Sequence, residues 1–314
     1  MLTRSRPIIP GEFVHRYQVH GLILQSEFPF PHAAPDPGRE AVVVQIRHGA
    51  YPDAGDAIRV GDWLSGTQQA LQFRIPEVGT FACVGGREIW VAPEPNASPV
   101  KIELFALGTA LGIIHYQRGD FPVHGAFIAD GNRAYGFCGA SGEGKSTVGL
   151  ALAHSGNALL TDDVAIIRLA EGEPRVYAEN THLKLWENSI RNFALPIEEH
   201  ARLDERHAKY YVPLPMRAPA SPPRLNALVF LESGPPGSEL LIEPLKHLPA
   251  LAALREHTYR SFLINALGLD RQHLAFGASL LKQVRMIRFR RPRSLDRLEE
   301  GVERLMREVI HADR

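Results

Sequence analysis

The 314-residue sequence predicts an α/β fold: a phosphate-loop core with a β-rich N-terminal portion. Three observations predict it. Gly139-Ala140-Ser141-Gly142-Glu143-Gly144-Lys145-Ser146-Thr147 fits the pattern G-x-x-x-x-G-K-[ST] at every constrained position. The apolar run Ala134 to Cys138 before it reads as a strand, and Thr147 to His154 after it places Val148, Leu150, Ala151 and Leu152 at spacings that suit a buried helix. Upstream, roughly the first hundred residues are short β-type runs bounded by proline, glycine and aspartate. Two domains are expected, 1–97 and 98–314, the second carrying the loop.

In chain order, strands are expected at Tyr17 to Leu24, Ala41 to Ile46, Ala70 to Ile75, Thr80 to Val84 and Glu88 to Ala92, with Gly85-Gly86 as a hairpin turn. Phe28 to Gly38, with four prolines, reads as a loop. Ser98-Pro99 marks a helix start, with proline at the first helical position, and this helix should run to about Arg118 and pack on the sheet of the loop domain. Strands should follow at Phe121 to Ile128, Val164 to Leu169, Arg175 to Ala178 and His182 to Trp186, then a short helix from Ser189. Glu198 to His207 has helix-like charge spacing. Pro213 to Pro223, with five prolines, is a candidate lid. Leu225 to Glu232 and Leu240 to Leu245 read as a hairpin, and His247 to Leu267 as one helix. Lys282 to Arg293 fits a strand with a solvated basic face better than a nucleic-acid patch, and a helix capped by Ser294 carries the apolar stripe Leu295, Leu298, Val302, Leu305 and Val309.

The loop residues suit a phosphate for separable reasons. Glycines let the backbone wrap close to phosphate oxygens, so that successive N–H groups and the positive helix end converge on the anion. Lys145 would reach the outer phosphates, and Ser146 would offer a hydroxyl to Mg²⁺. Glu143 is tolerable there if its side chain faces solvent. A second feature follows: Asn157-Ala158-Leu159-Leu160-Thr161-Asp162-Asp163 reads as a strand ending in two carboxylates. One could hold Mg²⁺ while the other accepts a proton from an attacking hydroxyl or water. Lys184, Lys209 and Arg260 are weaker candidates for a cation near phosphate, and Glu179 for a supporting acid. His200 and His207 lack a third ligand for a metal.

Around these residues the chain resembles the HPr kinase/phosphorylase superfamily, whose nucleotide-binding fold is related to that of phosphoenolpyruvate carboxykinase. The resemblance rests on Val123-His124-Gly125, then Gly139 to Thr147, then Leu160-Thr161-Asp162-Asp163. It implies a kinase core that transfers phosphate from ATP, with Mg²⁺, to a serine hydroxyl. By the same resemblance Lys145 and Ser146 serve phosphates and metal, Asp162 and Asp163 serve as base and metal ligands, and His124 lies near the reacting centre. The C-terminal signature that supports phosphorolysis in HPr kinase proper has no convincing counterpart here, which weighs against a reverse activity and against HPr as substrate. The chain is more similar to divergent HPr-kinase-related proteins with segments like Tyr17-Gln18-Val19-His20-Gly21-Leu22 and Leu183-Lys184-Leu185-Trp186. Some of that branch phosphorylate a serine of a ribosomally made lasso-peptide precursor, which implies a peptide or protein acceptor; family analogy also implies a homo-oligomer.

Composition narrows the classes. Thirty-five basic against thirty-five acidic residues give zero formal charge, which points to neither nucleic acid nor an anionic membrane as partner. Cys83 and Cys138 are too few for a disulfide framework, the start lacks an apolar signal core, and Leu104 to Ile114 is too short to span a bilayer, so a cytoplasmic protein is expected. A small-molecule kinase acting on a serine-like hydroxyl and a non-catalytic ATP-binding regulator remain open beside the peptide kinase. A GTP switch is disfavoured because no N-K-x-D motif occurs.

Overall fold

The computed structural model describes residues 11–38, 43–178, 182–192, 201–204, 207–213, 219–235, 237–292 and 297–313. It is a mixed α/β structure in two compact units, Met1–Asp120 with Phe262–Asp270, and Phe121–Ser261 with Arg271–Arg314. The division after Asp120 lies beyond the boundary expected at 97/98.

The first unit is a nine-stranded sheet. Its strands are β1 (His15–Val19), β2 (Leu22–Ser26), β3 (Ala34–Pro35), β4 (Val43–His48), β5 (Ile58–Val60), β6 (Leu64–Gly66), β7 (Ala70–Ile75), β8 (Gly79–Val84) and β9 (Glu88–Pro93). Their order is β3-β1-β2-β4-β9-β8-β7-β6-β5. The run Tyr17 to Leu24 is a hairpin rather than one strand, because His20 and Gly21 take φ of 54° and 70° and turn the chain. Gly85 and Gly86, at φ 57° and 66°, make the expected turn between β8 and β9. β5 and β6 are three residues each, too short for their alternation to show in sequence.

The helix expected from Pro99 forms as α1 (Pro99–Phe105), a π-helical stretch (Ala106–Ala110) and α2 (Leu111–Gln117). It packs on the N-terminal sheet, where the sheet of the loop domain was the expected partner. The Cys83 thiol donates to the Ala110 carbonyl at 3.4 Å, and Gln117 bridges the Gly86 amide and the Cys83 carbonyl at 2.9 and 3.0 Å. The cause is apolar burial, with Ala110, Leu111, Ile113 and Ile114 fully covered.

In the second unit β10 (Pro122–Asp130), β11 (Arg133–Cys138), α3 (Lys145–His154), β12 (Ala158–Thr161), β13 (Val164–Ala170) and β14 (Glu173–Tyr177) follow in order. Next come β15 (His182–Trp186), α4 (Glu187–Asn192), β16 (Ala201–Asp204), β17 (His207–Pro213), β18 (Arg224–Gly234), β19 (Leu241–Pro244), α5 (His247–Glu256), α6 (Asp270–Leu281), β20 (Arg285–Pro292) and α7 (Leu298–Leu305). The main sheet runs β11-β10-β13-β14-β18-β20-β19, with β12 on β10 and β11 also pairing β18. β11, β18 and β20 are parallel neighbours.

Period-two alternation on β18 sorts the core into two layers. Ala227, Val229 and Leu231 pack with Val148, Leu150 and Leu152 of α3 and with Val302 and Leu305 of α7. Leu228 and Phe230 face the opposite layer with Ala250 and Leu254 of α5 and Leu280 of α6. A sheet covered on both faces requires the nearly continuous apolar run that β18 carries. Gly149 brings α3 close to β10: a Cβ there would lie 2.9 Å from the Ala126 Cβ.

Three expectations are corrected. β18 and β19 do not pair with each other, because β20 lies between them, parallel to β18 and antiparallel to β19. The helix expected from Glu198 to His207 is replaced, where described, by β16 and β17, and Leu183 of β15 pairs with Val212 of β17. The stretch His247 to Leu267 is not one helix. α5 ends at Glu256, Thr258 bridges Val123 of β10, and the Tyr259 amide donates to the Pro122 carbonyl at 2.7 Å before a second helix begins at Phe262. Glu179, Glu198, His200, Ser294, Leu295 and residues 214–218 of the proline-rich stretch lie outside the described residues, as do the side chains of Lys184, His207 and Lys209. Among the described residues no helix is long and apolar enough to cross a membrane.

Candidate functional site

β11 ends at Cys138, and the chain then turns through Gly139 to Gly144 into α3. Burial pushes the Cys138 thiol up to about 12, with Lys145 nearby acting the other way. The turn depends on two glycines, Gly142 at φ 89° and Gly144 at φ 84°, in the region that costs other residues strain. Gly144 has a second constraint: a Cβ on it would lie 2.4 Å from Arg291 Nη2. Inside the loop the Glu143 amide donates to the Ala140 carbonyl at 3.2 Å, and α3 opens with the Val148 amide on the Gly144 carbonyl at 2.9 Å. Ala140, Ser141 and Gly142 are exposed at its crest, and Ser146 and Thr147 are half-buried on the first turn of α3.

Lys145 is only 8% exposed, and its ammonium donates to the Gly139 and Ala140 carbonyl oxygens at 2.8 and 3.1 Å. The charge is thus held at the loop itself. Arg291, at the end of β20 and equally buried, donates to the Glu143 carbonyl at 3.3 Å. Burial lowers its pKa, and the Glu143 charge opposes that shift. Glu143 therefore departs from expectation: one carboxylate oxygen is buried, and the charge it brings offsets part of the cost of enclosing Arg291.

The acid pair follows β12. Asp162 is 6% exposed, and the Asp163 amide donates to Thr161 Oγ1 at 3.1 Å. The Asp163 carbonyl in turn accepts from the Gly125 amide at 2.9 Å, which ties the acid pair to β10 beside His124. Gly125 itself has no room for a side chain, since a Cβ would lie 2.7 Å from the Phe137 carbonyl oxygen. His124 Nδ1 lies 3.4 Å from Asp163 Oδ1, an ion pair when the imidazole is protonated.

Two elements far along the chain complete this end of the sheet. The His257 carbonyl accepts from the His124 amide at 2.9 Å, and its ring stacks on Phe230 of β18 with centroids 5.6 Å apart. Burial lowers the His257 pKa; Glu256 opposes the shift, the charges of Lys145 and His124 reinforce it, and Glu232 opposes it. Tyr259 sits 6.2 Å from the His124 ring, with the Arg260 guanidinium 5.4 Å from the Tyr259 centroid.

His124 and Asp163 are thus brought together, and the charges of Lys145 and His124 each act on His257. Arg260 comes near through Tyr259. Sequence reasoning missed His257 and Arg291. Thr258-Tyr259, a β-favouring pair, was the signal that a helix ends before them. Arg291 was hidden in a basic run where Arg288 and Arg290 do lie on a half-exposed face, paired with Glu232 at 2.9 and 3.1 Å.

No family model matches the chain, and no curated protein matches it. Among solved structures it is similar to the Hpr(Ser) kinase/phosphatase from Coxiella burnetii, at 11% identity and a TM-score of 0.31, over 62% of this chain and 99% of that one.

Proposed function

We propose that the protein is an ATP-dependent phosphotransferase that moves the γ-phosphoryl group to a Ser or Thr hydroxyl of a peptide or protein. The observation that carries the reading is the loop Gly139–Thr147 at the end of β11, in a unit where Asp163 stands 3.4 Å from His124 on the neighbouring β10. A ribosomally made precursor peptide is the acceptor favoured by the sequence resemblance.

The residues present suit a magnesium nucleotide. Positive φ at Gly142 and Gly144 is the backbone state from which successive amides converge on an anion, and Lys145 and Arg291 add two cations against the same loop. Ser146 with Asp162 or Asp163 offers hard oxygen donors. Mg²⁺ commonly takes one or two carboxylates and completes its shell with phosphate and water.

When bound, the magnesium nucleotide would supply the transferable group and neutralise charge as its terminal oxygen–phosphorus bond breaks. The protein's part is positional and electrostatic. One carboxylate of the acid pair takes the proton of the acceptor hydroxyl as the new oxygen–phosphorus bond forms. His124, 3.4 Å from Asp163 on one side and held by its amide to His257 on the other, would orient the Asp163 member of the pair. Lys145 stays at the loop to offset negative charge leaving with ADP.

Candidate precursor peptides incubated with γ-labelled ATP and Mg²⁺ test the reading. Label should appear on a Ser or Thr, and Lys145→Met should abolish it. Label confined to free serine-like molecules would transfer the reading to a small-molecule kinase, and nucleotide binding without turnover would reduce it to a regulator. Failure to bind nucleotide at all would end it.

A further inference from the structure

Strand β20 touches the phosphate loop at its end, through Arg291, and a separate cleft of about 620 Å³ at its beginning. Arg285 and Arg291 are six residues apart on one extended strand, a separation of about 20 Å, so the cleft and the loop are different places. We propose that this cleft is a binding site for a small organic anion: an oxyanion, carboxylate or phosphate monoester, carried on a compact apolar body.

The walls define that chemistry. Leu245, Val284, Met286 and Ile287 give an apolar floor, all nearly covered in the fold. Lys246, His247, Lys282 and Arg285 surround it with basic groups. Two carboxylates also line it, but both are already engaged. Glu243 accepts from Arg288 at 2.6 Å, and Glu308 accepts from Arg304 and Arg307, each at 3.0 Å. Arg285 spends one donor on the Val309 carbonyl, whereas Lys246 and Lys282 form no ion pair among the described residues. The cleft therefore keeps an excess of positive charge beside a water-excluding floor, the combination that favours an amphiphilic anion over a neutral hydrophobe or a bare ion.

Backbone features point the same way. His247 opens the ten-residue helix α5 at φ 53°, in the left-handed region a side chain rarely adopts, and it does so where the cleft begins. Among the described residues no side chain caps that helix start and no acidic residue occupies its first turn, and its first residue, His247, lines the cleft. Among the described residues no Phe, Tyr or Trp lines the cleft to offer the stacking face that a nucleobase uses, which separates this ligand from the nucleotide proposed at the loop.

The test titrates the full chain with phenyl phosphate, hexanoate, inorganic phosphate and benzyl alcohol, read by calorimetry and by hydrogen exchange at residues 243–247 and 281–287. Phenyl phosphate or hexanoate should bind and protect both segments, with inorganic phosphate and benzyl alcohol weaker by about tenfold or more, because each lacks one half of the recognition. The double substitution Lys246→Glu with Lys282→Glu should weaken binding by about tenfold or more and leave nucleotide affinity at the loop unchanged. Should the double variant fail to fold, the exchange map of the unsubstituted protein decides. Absence of binding, protection confined to other segments, benzyl alcohol binding as well as phenyl phosphate, or charge reversal without effect would each overturn the proposal.

Discussion

Arg291 Nη2 donates to the Glu143 carbonyl oxygen across 3.3 Å, so the last core strand places a buried guanidinium against the Gly139–Gly144 loop. The contact depends on the residue next to it, because Gly144 has no Cβ to meet that nitrogen. Gly144→Ala would add an atom 2.4 Å from Nη2 and require alanine to hold φ 84°. A stability loss of about 1–3 kcal/mol is expected in urea unfolding, together with reduced magnesium-nucleotide affinity. Unchanged values for both would show that the loop relaxes without Arg291.

Lys145→Met removes the ammonium from the Gly139 and Ala140 carbonyls while keeping the stem. Two charge-assisted hydrogen bonds are lost, for a stability loss of about 1.5–3 kcal/mol, because part of their strength returns as hydration. Nucleotide binding should fall far more than stability does. Thermal unfolding with and without nucleotide separates the two effects.

Asp162→Asn and Asp163→Asn should differ in kind. Removing the base lowers kcat by about 10²–10⁴-fold with little change in KM for ATP. Removal of a metal ligand should instead raise the Mg²⁺ concentration needed for activity. Asp163 is adjacent to His124, so Asp163→Asn should also alter the pH profile, and parallel titrations of Mg²⁺ and pH assign the roles.

His257 carries a pH prediction. Burial, the largest cause, lowers its folded pKa below 6.5, so below pH 6.5 the unfolded chain takes up a proton that the folded chain resists. Its contribution therefore favours folding above pH 6.5, declines as pH falls toward the folded pKa, and levels off below it. His257→Gln should flatten that part of the stability curve in urea melts across pH 4.5–7.5, a range of about three units around the imidazole reference value. An unchanged slope would place the titrating group elsewhere.

Local signals in the sequence reached a defined distance. The run Ala134 to Thr147 predicts strand, turn and helix because each step involves neighbours, and β11, the loop and α3 follow that order. The Gly85-Gly86 turn and the Ala70 to Ile75 strand were legible for the same reason. Long-range pairing was not legible. Nothing in Leu225 to Leu245 signals that β20, some fifty residues on, separates its two strands. His257 and Arg291 enter the site through that pairing and through the Thr258 bridge to Val123, so a linear reading passes over both. The two acids were visible as a doublet, yet their attachment to Gly125 is a tertiary hydrogen bond.

The interleaving of β20 also bears on how the molecule is made. A ribosome emits β18, which ends at Gly234, before β20, which begins at Arg285, so over that interval of synthesis β18 presents an open edge where its parallel neighbour belongs. Exposed edges of that kind recruit other strands. Arrested chains released short of Arg285 should therefore clump, while those extended past Pro292 acquire both a sealed sheet and the guanidinium that steadies the loop.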